Sequence, residues 1–307
     1  MSEPLSIITP LLRQLESVIV GKSGAIRDAV TCLLAGGHLL IEDLPGVGKT
    51  TLAHALAHSF GLQFSRVQFT SDLMPSDLMG VSVFERERAE FVFHPGPLFA
   101  QVLLADEINR ASPKTQSALL EAMEEKQVSV EGQTRPLPQP FFVIATQNPH
   151  DQLGTHALPE SQLDRFLMRL RLGYPGRAAE RELLRGRDRR TLLDTLPALL
   201  DAAALAGLQG AVQQVAVSDA VLDYLQDLLD ASRNGRWFVQ GLSPRAGLGV
   251  LRAAQARALI EGRSYVAPDD LAAILPQTAA HRLVAVSSAG RGVSEQVQAM
   301  LEATALR

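Results

Sequence analysis

The chain has 307 residues, 46% of them hydrophobic and 20% charged, a balance that excludes disorder and fibrous repeats and sets an expectation of about two domains. Its 29 basic and 33 acidic residues give a formal net charge of −4, so no global cationic field draws it to nucleic acid or anionic lipid. The single cysteine, Cys32, excludes an intramolecular disulfide and a cysteine zinc site; with no basic leader and no membrane-length apolar run, the expectation is a soluble, cytoplasmic chain without a membrane span.

In chain order, five short apolar runs have strand length: His38 to Asp43, Phe64 to Phe69, Val102 to Asp106, Phe141 to Thr146 and Phe166 to Leu172. Those around Leu103 and Val143 are apolar almost throughout, as strands covered on both faces must be. Helical patterns over Thr50 to Ser59 and Pro113 to Lys126 alternate with them, which predicts an α/β fold with a five-stranded parallel sheet. After Gly173-Tyr-Pro-Gly176 strand signals nearly vanish, and apolar spacings of three and four predict helices over 177–190, 218–232, 244–262, 268–283 and 294–306. The expected division is therefore 1–173 for the α/β unit and 174–307 for a helical one.

The chemistry concentrates in the first unit. Leu40-Ile-Glu-Asp-Leu-Pro-Gly-Val-Gly-Lys-Thr-Thr51 runs from strand to glycine loop to helix, the context that a phosphate loop requires. Gly46 and Gly48 let the backbone curl so that N–H groups converge on phosphates, with Pro45 and Val47 completing the candidate binding loop; Lys49 neutralises oxygens, Thr50 can hold Mg²⁺, and Thr51 follows in the first helical turn. Asp43 stands where the first glycine of the general pattern falls, and a carboxylate there must point away from the phosphates. Val102-Leu-Leu-Ala-Asp-Glu107 ends an apolar strand in two carboxylates, Asp106 for the metal shell and Glu107 to activate water. Asn148, at the tip of the fourth strand run, can bond a γ-phosphate or the attacking water; Asn-Pro alone also reads as a bare turn. Arg165 precedes the last strand, where an arginine can enter a neighbour's site or pair on its own surface with Asp164 or Glu160. Gly241-Leu-Ser-Pro-Arg245 sets Arg245 in a first helical turn, against the dipole, which points to an anionic partner.

His54 and His58, four apart on one helix, have metal-capable spacing but no third ligand, and a packed pair is the expected reading. The arginines at 177, 181, 185, 187, 189 and 190 interleave with Glu180, Glu182 and Asp188, as on a salt-bridged helix face. Trp237 with Phe238 is expected to dock the helical unit on the core.

Taken with Arg66-Val-Gln-Phe-Thr-Ser-Asp-Leu-Met-Pro-Ser-Asp-Leu-Met-Gly80, Gly96-Pro-Leu-Phe99 and the stretch from Ala105 to Glu124, these motifs give a chain that resembles the MoxR family of AAA+ ATPases over nearly its whole length. The resemblance implies an αβα P-loop core with a helical lid, ATP and Mg²⁺ as cofactors, and hydrolysis to ADP and phosphate. It implies Lys49 and Thr50 as Walker A, Asp106 and Glu107 as Walker B, Asn148 as sensor 1, Arg245 as sensor 2, and Val20 and Gly21 on the adenine side. Arg165 is the implied trans arginine finger, with Arg110 and Arg169 near the same face. It further implies a homo-oligomer, hexameric in the family, that remodels a protein client, often beside a von Willebrand factor A domain partner. Two segments resemble the clade's insertions and would face a ring pore: a charged loop between Val81 and Pro95, and a hairpin turning at Glu131-Gly132. A nucleic-acid motor and a magnesium-chelatase-like subunit are the competing readings; the hairpin tip, Glu131 to Arg135, offers one arginine where a DNA motor needs several basic residues.

Overall fold

A computed structural model describes residues 2–87, 89–148, 154–186, 192–193, 195–286 and 292–304. Two helices, α1 (Ser2–Val18) and α2 (Ser23–Leu34), precede β1 (Leu39–Glu42), the phosphate loop and α3 (Lys49–Ser59). Then come β2 (Phe64–Gln68), α4 (Pro75–Met79) and a hairpin of β3 (Gly80–Glu85) with β4 (Glu90–Pro95). β5 (Val102–Asp106), α5 (Pro113–Glu125), a second hairpin of β6 (Gln127–Val130) with β7 (Gln133–Pro136), β8 (Phe142–Gln147), α6 (Glu160–Leu163) and β9 (Met168–Leu170) complete the first half. The second half is α7 (Arg177–Arg185), α8 (Ala202–Gln213), α9 (Asp219–Arg233), α10 (Pro244–Ile260), α11 (Pro268–Ala279) and α12 (Val293–Ala303). A small antiparallel pair, β10 (Phe238–Gln240) with β11 (Val284–Ala285), crosses it.

The five main strands form one parallel sheet in the order β2-β5-β8-β1-β9. Alternation along the central strands sends Leu39, Ile41, Val102, Leu104, Phe142 and Ile144 to one apolar core and Leu40, Leu103, Ala105, Val143 and Ala145 to the other. Helices cover both faces, which is why these strands read as unbroken apolar runs. The first core also takes in α1 to α3 and the apolar faces of α8 to α12, so one cluster runs across position 173. Its fully buried leucines and phenylalanines each contribute about 1.5–3 kcal/mol of burial free energy.

The segment between Val81 and Pro95 is a β-hairpin rather than the expected loop, paired in register from Gly80↔Pro95 to Glu85↔Glu90. Residues 187–190, the end of the expected helix over 177–190, and Arg88 lie outside the described residues. Trp237 and Phe238 belong to the β10 region inside the helical half, with Phe238 buried and paired to Ala285. His38 pins the start of β1: its Nδ1 accepts from the Val143 N–H at 3.0 Å and its Nε2 lies 3.2 Å from the Met123 carbonyl. Burial, the largest influence, pulls this imidazole down to about 4, so the ring is neutral and Nε2 carries its proton.

Candidate nucleotide site

The phosphate loop turns between β1 and α3 through two residues in left-handed backbone, Gly46 at φ 79° and Gly48 at φ 100°. A Cβ at either would meet nothing within 4 Å, so the backbone conformation and not crowding demands glycine. Thr50 and Thr51 occupy the first turn of α3, whose N-terminal N–H groups and dipole face the cleft. Lys49 Nζ donates to the Asp43 carbonyl at 2.6 Å. The Asp43 carboxylate points away from the loop, as the sequence required: Oδ1 accepts from the Leu44 N–H at 2.8 Å, and Oδ2 from the N–H groups of Leu172 at 2.5 Å and Gly173 at 2.6 Å. The acid ties the loop to the chain leaving β9.

Asp106 and Glu107 lie at the C-terminal end of β5, where ligands of parallel sheets bind. Asp106 is nearly buried; its Oδ1 accepts from Thr146 Oγ1 at 2.6 Å and its Oδ2 from Arg66 Nη2 at 2.7 Å and Nε at 3.2 Å. Glu107 has φ 57°, an uncommon conformation for a residue with a Cβ, and its N–H donates to Thr146 Oγ1 at 2.9 Å. Glu107 Oε2 accepts from Gln68 Nε2 at 2.7 Å and Arg110 Nη1 at 3.1 Å. Arg66 and Gln68 are partners that motif reading misses. The available signal was alternation: two polar residues, two apart, at the end of a strand beside the one carrying Asp106.

One cleft of about 300 Å³ gathers Pro45, Gly46, Gly48 to Thr51, Arg66, Gln68, Asp106, Glu107 and Asn148. A second, more apolar cavity of about 200 Å³ shares Gly46, Gly48 and Thr51 and is lined further by Val20, Val47, Tyr174, Pro175 and Leu183. The two together have the polarity of a nucleotide, phosphates at one end and a base at the other. Gly21 does not line either; at φ 73° a Cβ there would stand 2.6 Å from that of Ala179, so it admits α7 against the chain.

Arg165 and Arg245 lie outside both cavities and share one partner. Arg165 Nε is 2.9 Å from Glu124 Oε2 and Arg245 Nη1 is 2.6 Å from Glu124 Oε1, and the Arg245 hydrogen bond, with the Arg165 and Arg245 charges, holds the Glu124 carboxyl below its usual range against slight burial. Arg282, almost wholly buried, fixes the segment bearing Arg165: Nη2 donates to the Phe166 carbonyl at 2.8 Å, and Nε is 2.8 Å from Asp164 Oδ1 as an ion pair without hydrogen-bond geometry. Arg169 is committed to Glu42 at 3.2 Å. His54 stacks on Phe64 and His58 Nε2 lies 2.6 Å from the Leu196 carbonyl, so both rings have structural neighbours, and no cluster of three metal-ligating side chains occurs among the described residues. The two hairpins touch: Ser82 Oγ donates to Glu131 Oε2 at 2.5 Å and the Arg135 guanidinium lies 3.8 Å from the Phe93 ring centroid.

Comparison with known proteins agrees with this geometry. Residues 38–168 match the ATPase family associated with various cellular activities (AAA), and residues 231–303 match the AAA lid domain. The chaperone MoxR1 of Mycobacterium tuberculosis is 40% identical over 88% of this chain and 74% of its own. The chain belongs to the MoxR family of AAA+ ATPases. The uncharacterised protein YeaC of Bacillus subtilis is 45% identical over 89% of this chain and 85% of its own. A crystal structure from Cytophaga hutchinsonii superposes with a TM-score of 0.90 at 32% identity, covering 99% of this chain and 96% of that one. This MoxR-family fold is a parallel αβα core with a helical lid, and no helix among the described residues is long and apolar enough to cross a membrane.

Proposed function

We propose that this chain hydrolyses Mg-ATP to ADP and phosphate at sites shared between copies in a hexameric ring, and that the motion remodels protein complexes in the cytoplasm. The observation that carries the reading is the separation of parts: one cleft holds the phosphate loop, Asp106, Glu107 and Asn148, while Arg165 and Arg245 stand together on another surface. Residues 1–173 would act as the catalytic unit and 174–307 as its lid. The chaperone name of the M. tuberculosis relative supports a protein client, with a von Willebrand factor A domain protein as a candidate partner.

The donor set fits the group it would hold. The nearly buried Asp106 carboxylate takes a guanidinium against its outward oxygen, so that oxygen already faces a cation, and the Thr50 hydroxyl lines the same cleft. Mg-ATP, when bound, would supply the phosphoryl group to be transferred and a metal to neutralise its charge. Lys49 and the loop N–H groups bind the phosphates; Thr50 and Asp106 hold the metal. Glu107 orients water and takes its proton at Oε2, the oxygen that accepts from Gln68 and Arg110 and must exchange those donors for water. Asn148 orients the same water or the terminal phosphate. Val20 contacts the base, Gly21 shapes the wall behind it, and Arg165 with Arg245 reaches the next copy's phosphates.

The test is ATP turnover per chain as protein concentration rises, for the wild type, Arg165→Ala, Glu107→Gln and a mixture of the two variants. Turnover that climbs with concentration, fails in each variant and partly returns in the mixture is expected. Turnover independent of concentration and insensitive to Arg165 overturns the shared site.

A further inference from the structure

A groove between α9 and α10 encloses about 750 Å³, far larger than the nucleotide cleft, and none of the proposed chemistry uses it. Its floor is Leu222, Leu225, Leu229 and Leu251, with Leu248 two-thirds exposed at its lip. Asp219, Asp223 and Asp230 stand along the α9 edge, and Arg233 closes the end nearest Pro244. An apolar floor under an acidic rim fits a basic amphipathic helix.

The same chain carries one. In α7, positions 177, 181, 184 and 185 fall within about 100° of one another on a helical wheel, with Leu184 at the edge of the arc that carries Arg177, Arg181 and Arg185 and Glu180 on its other side. All four are exposed, and Leu184 is 84% so. The lengths agree: α7 spans about 13 Å, and the α9 edge from Asp219 to Asp230 about 16 Å. Run antiparallel to α9, α7 matches Arg185 to Asp219 and Arg181 to Asp223, both at four-residue spacing, and brings Arg177 toward Asp230. In this register Glu180, the acid flanking that face, falls level with residue 224, one residue past Asp223.

The two surfaces also lie where a shared site would bring them together. Leu183 and Tyr174, at and just before α7, line the base-side cavity. Pro244 lines the groove, and the next residue, Arg245, pairs with Glu124 beside Arg165. A neighbour that presents its nucleotide to these arginines therefore presents its α7 to this groove. Different surfaces meeting head to tail build a ring rather than a closed dimer. We infer that α7 of one copy docks antiparallel in the α9–α10 groove of the next, with Leu184 on the leucine floor and Arg181 and Arg185 on Asp223 and Asp219. The inference rests on the shared-site reading and names the contact that would hold the copies together.

The test is disulfide trapping with Leu184→Cys and Leu222→Cys, the groove leucine nearest Leu184 in this register; the native Cys32 is fully buried and stays silent. Under mild oxidant the double variant is expected to give a covalent ladder beyond dimer on a denaturing gel, and an equal mixture of the single variants to give dimers only. Charge reversal is the second arm. Arg181→Asp and Asp223→Arg should each raise the assembly midpoint by about tenfold, and combining them should largely restore it, with nucleotide affinity unchanged because neither lines the cleft. If the wild type assembles and Arg165→Ala and Glu107→Gln complement each other, yet no ladder forms and the reversals do not compensate, the docking is wrong and the shared site stands. A wild type that stays monomeric with concentration-independent turnover sinks both.

Discussion

Replacing Asp43 with glycine would give the loop the residue that the general phosphate-loop pattern has there, and it should nevertheless destabilise this chain. The carboxylate accepts three backbone N–H groups, from Leu44, Leu172 and Gly173, and is itself 7% exposed. Hydrogen bonds to a charged group are worth about 1.5–3 kcal/mol each, but they do not add, and water can reach Gly173. Leaving the buried Leu172 N–H without an acceptor costs about 1–3 kcal/mol, and the extra freedom of glycine a further ~0.5–1 kcal/mol. The expected loss for Asp43→Gly is about 2–4 kcal/mol. Asp43→Asn should lose about half as much, because its one carbonyl oxygen can still serve Leu172 and Gly173 while its amide opposes the Leu44 N–H. Urea unfolding without nucleotide measures both. Nucleotide affinity should fall as well, because the bonds connect the loop to the segment that continues into Tyr174 and Pro175 of the base-side cavity. An Asp43→Gly protein as stable as the wild type would refute the assignment of this carboxylate as the pin.

Three further outcomes are expected. Arg66→Ala should lower the Mg²⁺ needed for half-maximal binding of a fluorescent nucleotide by about fivefold, the equivalent of ~1 kcal/mol for a pair whose guanidinium is 46% exposed; a higher requirement would show Arg66 serving the phosphates instead. Asp28 is pushed up to about 6, chiefly by burial and only partly offset by Arg257, Gln277 and Arg27. An acid whose folded pKa is raised is penalised when ionised, so Asp28→Asn should raise the melting temperature at pH 8, on a ceiling of about 3 kcal/mol, and the gain should vanish by pH 4; an unchanged gain across that range contradicts the shift. Arg282→Met should cost about 3 kcal/mol in denaturant unfolding and reduce turnover with nucleotide affinity kept, since Arg282 holds the segment of Arg165 and not the cleft. Reduced nucleotide affinity would contradict that separation.

Elements whose residues act locally were legible in the sequence. The central strands show as apolar runs because both faces are covered, and Ser112-Pro113 and Ser243-Pro244 announce their helices because each serine hydroxyl accepts from an N–H in the first turn. The turn at Glu131-Gly132 is legible for the same reason: both residues take positive φ. The helix α1 is hidden by Pro10 in its middle. The hairpin of β3 and β4 resembles a loop because its apolar residues face solvent, with Phe84 half and Phe91 nearly three-quarters exposed, so no buried face sets an apolar-in, polar-out pattern. Arg66, Gln68 and Thr146 escape motif reading because their roles exist only once β2, β5 and β8 lie side by side. Arg245 was legible as a cation at a helix N-terminus, but its resting partner, Glu124, lies far back in the chain on α5.

That partner yields the most discriminating substitution. Glu124 holds both arginines in one copy, yet the proposed chemistry needs them on the phosphates of another. All three side chains are about a third to a half exposed, so the pairs add little to stability, and Glu124→Gln should change unfolding by less than about 1 kcal/mol. Its effect belongs in kinetics. If Glu124 competes with the neighbour's phosphates, Glu124→Gln releases the guanidinium groups and should lower the protein concentration that gives half-maximal turnover, with nucleotide affinity of the isolated chain unchanged. If Glu124 instead aims the two arginines, the same variant lowers turnover at every concentration and resembles a mild Arg165→Ala. The two results have opposite signs in one titration. A fall at saturating concentration would therefore refute competition and leave Glu124 as a positioning residue.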